Sequence, residues 1–556
     1  MKGKKEKLEI GHLVEVKGNR LSAVLRSNLP ENMTMTADGV DYVVGQMGSY
    51  VSIHGRDHIV GIVTGFLERE EALTTQEVEE AKKEEHIPLS PSRHRLSISP
   101  VGTIDSKGKF SRGVARYPTV GDSVHILSRD EINVIFERYV SGQYQVGHLS
   151  AFPELPVYLD VTALYGRHLA VLGQTGSGKS WALASLLQKA MHLMTNTHII
   201  LLDIHGEYRN TFDKWNGRLL SATELEIPYW LLTFQELIDL CVDRSEHEAP
   251  NQIAYFQNEV LEAKIRAAKK EKLGNLRITV DTPVYFSFEE VLTAIRHENE
   301  KMVEGQRGPK KGELHGIFSH LLMRLESKLN DRRYNFLLQP SKRTSSSSMS
   351  PLLKEIIGIG RPKAPITVID LSTAPFDVRP TVVALLSRLI FEFNYWNPFY
   401  TRFPILLAIE EAHTVVPRGG GAFDGARRQA EKIAKEGRKY GVGLVVISQR
   451  PSEVSETVLA QCGNFICLRL TNPDDQAYVR KLVPESEEGL MDTLAGLRRG
   501  EALALGEAAP LPTRMTLDIP SPGPRSDDVD FRKEWSNDLT DLDVDMIVTR
   551  WREQER

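Results

Sequence analysis

The run Gly173–Gln174–Thr175–Gly176–Ser177–Gly178–Lys179–Ser180 constrains this chain more than any other feature. It matches the phosphate-loop pattern GxxxxGK(S/T), and it stands where that pattern has to stand. The apolar residues Leu169–Leu172 before it predict a buried strand, and Trp181–Met191 after it predict a helix. Glycines let backbone N–H groups wrap phosphates, and the start of the helix adds the positive end of its dipole. Lys179 then reaches the β- and γ-phosphates and Ser180 holds Mg²⁺. Gly173 to Ser180, with Trp181, form the expected nucleotide-binding stretch, and ATP and Mg²⁺ are the expected cofactors.

A second apolar strand, Ile405–Ile409, runs directly into Glu410 and Glu411. Paired carboxylates at a strand end suit nucleotide hydrolysis: one supports Mg²⁺ through water and the other orients the attacking water. Glu410 is assigned to the metal and Glu411 to the water. Asp203 ends the strand His198–Leu202 and opens the motif DIHGEY. If that strand neighbours the phosphate-loop strand, Asp203 lies at the carboxyl edge of the sheet, where open α/β folds bind ligands. The alternative is a cap on a strand-to-helix turn. Val445–Ser448 leads into Gln449–Arg450–Pro451, which sets the Gln449 amide beside the γ-phosphate. Arg438 and Arg450 are candidates to complete a neighbouring subunit's site, and Arg167 to touch nucleotide in cis. A plain salt bridge is an equally good account of each arginine.

The surrounding sequence divides into regions. Residues 1–150 carry short β-rich runs (His12–Val16, Val40–Val44, Tyr50–Ile53, His58–Thr64, Leu96–Ile98, Ser123–Leu127, Asn133–Glu137) broken by Gly and Asp turns, as in a small barrel or sandwich. The charged stretch Arg69–Glu85 interrupts them as a helix or mobile loop. Residues 151–510 carry continuous apolar strands such as Ile366–Asp370 and Phe465–Leu468, which predict a mostly parallel sheet covered by helices. A polar, helix-patterned insertion occupies about 220–360. Within it Gly305–Gly312 and Ser341–Ser350 are expected to be surface loops and Lys264–Lys272 an exposed helix. Residues 511–556 are proline-marked and acidic, too short for a core, and are expected to brace a neighbouring surface.

Net charge is −5, so the whole chain is not a basic nucleic-acid binder, and any DNA contact has to be local. One candidate is the loop Pro417–Gly421 followed by Arg428, Lys432, Lys435 and Lys439, which share one helix face. Glu431 and Glu436 intersperse it, so a solvated face is the competing account. Cys241, Cys462 and Cys467 are too few and scattered for a disulfide framework or zinc site, and fit a reducing cytoplasm. No apolar run approaches the ~18–20 residues of a transmembrane helix, so no membrane association is expected.

Taken together, GQTGSGKS, DIHGEY, IEEAH, AKEGRKYGVGL and SQRP resemble the HerA family of the FtsK/HerA superfamily. The likeness runs over about 150–510, and the N-terminal β region is similar to the family's barrel. The resemblance implies a RecA-like α/β P-loop core with a helical insertion, preceded by a small N-terminal β-barrel. It also implies a homo-hexameric ring that drives duplex DNA through a central pore by hydrolysing ATP. Hydrolysis maps onto Lys179, onto Glu410 and Glu411, and onto Arg438 or Arg450 as the interface arginine. Glu410 departs from the Asp of many P-loop motors, and its longer side chain still reaches Mg²⁺ through water. The partners implied are a NurA-like nuclease in DNA end processing, or a sirtuin-like or nuclease effector in bacterial anti-phage defence. The chain shows no nuclease carboxylate cluster and no metal-ligand spacing, so effector chemistry is expected on another chain. Two alternatives stand beside the translocase: an ATP-regulated ring scaffold that activates an effector, and a protein-translocating ATPase of the secretion type.

Overall fold

The computed structural model describes residues 8–27, 29–30, 33–37, 39–70, 92–305, 308–419, 424–525, 529–536 and 542–553 of the 556. The chain forms two compact units. The first takes Met1–Leu193, Gln449–Ser452 and Cys462–Ile519; the second takes Met194–Ser448, Glu453–Gln461 and Pro520–Arg556.

The first unit begins with a barrel. Its strands are β1 (Glu9–Lys17), β2 (Arg20–Leu25), β5 (Tyr50–His54), β6 (His58–Glu70), β7 (Ser92–Ile104) and β9 (Ser123–Ile126), with a hairpin of β3 (Thr34–Ala37) and β4 (Val40–Val43) between β2 and β5. The order β2-β1-β9-β5-β6-β7 closes because β7 pairs back onto β2, while β8 (Phe110–Arg112) hangs on β7. Closure works because inward positions alternate along each strand. Leu13, Leu21, Ala23, Ile53, Ile59, Leu96, Ile98 and Val124 fill the interior. Bulges in β6 at Val60/Gly61 and Val63/Gly65 bend the sheet. Of the charged stretch Arg69–Glu85, Arg69 and Glu70 end β6, and residues 71–85 lie outside the described residues.

One strand expected here is a helix. Asn133–Glu137 belongs to the helix Arg129–Val140, which starts with a capping box: the Ser128 hydroxyl accepts from Glu131 N, and the Glu131 carboxylate accepts from Ser128 N at 2.8 Å. Two orphan amides are satisfied at once, and that outweighs the β preference of Val134, Ile135 and Phe136.

The rest of the first unit is a sheet in the order β11 (Pro156–Tyr158), β10 (Gln145–Leu149), β22 (Thr513–Leu517), β21 (Glu501–Gly506), β20 (Asn464–Cys467), β12 (Leu169–Leu172). Within this part β12 and β20 run parallel and the other neighbours are antiparallel. Thr513–Leu517, from the expected bracing tail, is an inner strand.

The second unit is the parallel part. Its order is β19 (Val442–Ser448), β18 (Ile405–Ile409), β13 (Ile199–Asp203), β17 (Ile366–Asp370), β14 (Arg218–Ser221). Nearly every residue of β13, β17, β18 and β19 is buried, as strands covered on both faces require. The carboxyl ends deliver Asp203, Asp370, Glu410 and Ser448 to one edge.

Between β14 and β17 lies the insertion, built mainly on helices Phe234–Cys241, Ala249–Lys270, Phe288–Glu300, Ser319–Leu329 and Met349–Ile357. Two expectations fail inside it. Lys264 is 1% exposed, and its ammonium donates to the Val280 and Thr282 carbonyls at 2.6 and 2.8 Å. The Gly305–Gly312 loop is instead the end of a hairpin, β15 (Met302–Gly305) with β16 (Gly308–Lys311), around residues 306–307, which lie outside the described residues. Ser341–Ser350 lies at the surface, with none of its residues buried, and is anchored there: Ser341 Oγ donates to Glu226, Tyr285 N donates to Ser346 Oγ, and Trp230 Nε1 donates to the Arg343 carbonyl. No helix among the described residues is long and apolar enough to cross a membrane.

Candidate active site

The phosphate loop sits in the first unit at the carboxyl end of β12, which is fully buried. Gly173 has to be glycine because a Cβ would come within 2.6 Å of Ser177 Oγ and 2.9 Å of Leu468 Cβ. The loop turns through positive φ at Gly176 and Gly178 before the helix Lys179–Leu193 begins. Such a turn aims consecutive amides at one point, which makes an anion cradle. Lys179 is buried, and its Nζ donates to the Gln174 carbonyl at 3.3 Å. Ser177 Oγ donates to the same carbonyl at 2.7 Å.

Gln449 lies at this loop, where the Thr175 hydroxyl donates to its Oε1. Three supports carry no motif in the sequence. Gln174 N donates to the Arg469 carbonyl at 2.9 Å, Thr471 N donates to Gln174 Oε1 at 3.0 Å, and Gly500 N donates to the Ser177 carbonyl at 3.2 Å. Ser180 and Trp181 open the helix, both half-buried. Arg450 is exposed. Arg167 is not brought to the loop. It precedes β12, at the strand's opposite end, and its guanidinium pairs with Glu507.

The acidic site sits in the second unit. Glu410 is 2% exposed, and Asp203, Glu207 and Glu411 crowd it. Burial first, then these three carboxylates, push the Glu410 carboxyl well above its ordinary range. Its Oε2 is buried with no hydrogen-bond partner among the described residues. Asp203 takes the capping role. Its carboxylate accepts from the backbone N–H groups of His205, Gly206 and Tyr208 at 3.2, 2.8 and 3.0 Å, so it fixes the turn and loads negative charge onto Glu410. The condition for Asp203 to flank the phosphate-loop strand is not met, because β13 has β18 on one side and β17 on the other.

Glu411 holds φ +42°, a left-handed conformation a glutamate rarely adopts. Strain of this kind persists where the surroundings fix it, and it concentrates at functional sites. It turns the carboxylate toward His413, whose Nδ1 is 3.3 Å from Glu411 Oε2 and 3.3 Å from Ser448 Oγ. His413 stands in the motif IEEAH, yet its spacing alone assigns it no role. Glu207 stands just as visibly in DIHGEY, and only the fold shows it facing Glu410.

The basic features of this unit are partly spent. Arg428 pairs with Asp239 at 3.3 Å, and Lys432 Nζ sits 4.7 Å from the centre of the Phe391 ring. Arg438, Lys435 and Lys439 are exposed. Of the loop Pro417–Gly421, Arg418 pairs with Glu456, and residues 420–421 lie outside the described residues.

Residues 144–390 match the family model for the central domain of the helicase HerA, a span that holds the phosphate loop, DIHGEY and the insertion. The DNA double-strand break repair helicase HerA of Pyrococcus furiosus is 28% identical over 434 residues, 71% of this chain and 73% of that protein. A probable helicase of Methanocaldococcus jannaschii is 26% identical over 502 residues, 89% and 90% of the two chains. Over these spans the chain is similar to the HerA helicases. Among solved structures, VirB4 of Thermoanaerobacter pseudethanolicus superposes with a TM-score of 0.47 at 18% identity, over 67% of this chain and 96% of that one.

The chain is a P-loop ATPase. The unpartnered Glu410 Oε2, amid three further carboxylates, fits a hard cation held through oxygen ligands and water.

Proposed function

We propose that this chain converts ATP hydrolysis into movement along duplex DNA, as a homo-hexameric ring with the duplex in its central pore. The supporting observation is the HerA central-domain match over 144–390, with relatives named as double-strand break repair helicases over most of their length. In this reading Gly173 to Ser180 and Trp181 bind ATP, and Lys179 neutralises the β- and γ-phosphates. Ser180 and Glu410 are the residues that would hold Mg²⁺, which would supply charge neutralisation at the transferring phosphoryl group. Glu411, oriented by His413, directs the attacking water, and Gln449 senses the γ-phosphate. Arg438 or Arg450 enters a neighbouring subunit's site. Arg167 is a weaker candidate because of its place beyond β12. Lys435 and Lys439, exposed after the hydrolysis strand, are the phosphate-tracking groups. The ring works in the cytoplasm with a nuclease, NurA-like, or with a sirtuin-like or nuclease defence effector on another chain.

The test is the steady-state ATPase rate with and without linear duplex DNA at two salt concentrations. Stimulation that fades with salt supports a phosphate-tracking motor, because backbone contacts release counterions. DNA-independent turnover would overturn it in favour of the ring scaffold that licenses an effector.

A further inference from the structure

The first unit carries a cluster that no motif announces. His54 is the last residue of β5 and His58 the first of β6, and the two pair across the hairpin turn. Glu131 is the third residue of the helix that follows the barrel. These three residues each bring one ligand-capable atom to within 4.8 Å of the other two, and all three are half-buried. Nothing in the spacing 54, 58, 131 signals this, because the carboxylate arrives through the fold.

The separations are informative. His54 Nε2 is 3.2 Å from His58 Nε2, and His58 Nε2 is 3.1 Å from Glu131 Oε1. Ligands bonded to one zinc-sized ion at roughly 2.0–2.1 Å and tetrahedral angles stand about 3.3 Å apart. The Glu131 carboxylate is already oriented for ligation. Its Oε2 is occupied by Ser128 N and Ser128 Oγ at 2.8 and 2.7 Å, which turns Oε1 toward His58. The His125 ring stacks on His54 at 4.2 Å and 20°, which fixes the plane of that imidazole. Restraint of ligands by neighbours of this kind is what tunes metal sites. Ser52 Oγ, 3.0 Å from His54 Nε2, is on hand to bond a water completing the shell.

We propose that His54, His58 and Glu131 bind one divalent first-row transition-metal ion, with Zn²⁺ the best fit, in a site separate from the ATPase centre. Two imidazoles and one carboxylate select such ions over Mg²⁺ and Ca²⁺, which take all-oxygen shells. The ion staples the β5–β6 hairpin to the start of the helix Arg129–Val140, so it ties the barrel to the segment leading into β10. The competing account is a plain hydrogen-bonded row, imidazole to imidazole to carboxylate.

The experiment uses the full chain, stripped of metal and held in excess Mg²⁺ so that hard-cation sites are filled. Zn²⁺ binding is read by calorimetry, and Co²⁺ binding by its visible absorption. The expected result is one Zn²⁺ per chain at micromolar or tighter affinity, with a thermal midpoint raised by Zn²⁺. His58→Asn and Glu131→Gln should each weaken binding by at least about tenfold. Glu131→Gln is the safeguard against a folding defect, because Gln serves equally in the capping box. Equal Zn²⁺ uptake by parent and both variants, or no uptake by the parent below millimolar, overturns the proposal and leaves the hydrogen-bonded row.

Discussion

Arg388 grips Glu236 with two bonds inside the second unit, Nη2 to Oε2 at 3.0 Å and Nε to Oε1 at 3.1 Å. Glu236 also accepts from Thr233 N at 2.9 Å, closing the capping box of the helix Phe234–Cys241. One carboxylate thus caps an insertion helix and bonds it to the helix Arg379–Trp396. Both side chains are buried, and removing one partner of such a pair strands a charge at a cost of about 3–5 kcal/mol. Arg388→Met should lower the thermal midpoint sharply, and Arg388→Met with Glu236→Gln should recover part of the loss. Equal midpoints for parent and Arg388→Met would show the pair to be dispensable.

Lys179→Ala should abolish ATP turnover, and Glu411→Gln should bind ATP and stall. Nucleotide binding and single-turnover hydrolysis, measured side by side, separate the two. Hydrolysis by Glu411→Gln at the parental rate means that Glu411 does not orient the water.

Arg438→Ala and Arg450→Ala, each mixed with Lys179→Ala subunits, distinguish a residue acting in trans from one acting in cis. A trans residue restores part of the ATPase in mixed assemblies. Two inactive partners that stay inactive in every ratio argue for cis.

Glu410 carries a pH signature. Folding favours its protonated form, so the folded chain binds more protons than the unfolded one above the ordinary carboxyl range. Stability therefore falls as pH rises from that range through the raised value. Glu410→Gln should raise the nucleotide-free thermal midpoint at neutral pH. Added Mg²⁺ should raise the midpoint of the parent more than that of the variant.

Lys264 has the opposite sense. Burial lowers its ammonium from the ordinary 10.5 to about 8, against the pull of Asp281. Between those values the unfolded chain holds more protons, so this group's contribution to stability rises with pH. Any advantage of Lys264→Met over the parent should be largest below pH 8 and shrink toward pH 10, by at most about 1.4 kcal/mol per pH unit. Paired thermal melts across that range check it.

The legible part of this protein is its local grammar. Gly173–Ser180 and Ile405–Glu411 announce their chemistry because each is a short run whose neighbours in sequence are its neighbours in space. Closure of the barrel depends instead on Leu21 meeting Ile98, and the order around β13 on pairings with β17 and β18. No periodicity encodes such register. Lys264 deceives because a lysine run looks solvated, yet the carbonyls of Val280 and Thr282 converge on that one ammonium. Asn133–Glu137 reads as a strand on β preference alone, and the Ser128–Glu131 cap decides against it. His54, His58 and Glu131 are invisible for the same reason as the barrel: the third member is far along the chain.

The parallel pairing of Leu169 with Asn464 has a consequence for synthesis. The two partners are 295 positions apart (464 minus 169), and β21 and β22 follow later still. At the ~5–20 residues per second of a translating ribosome, the strand carrying the phosphate loop waits roughly 15–60 seconds for β20. The barrel strands, complete by Ile126, can close long before. A nascent chain therefore emerges with a finished N-terminal barrel and an exposed apolar strand, and the ATPase is assembled last.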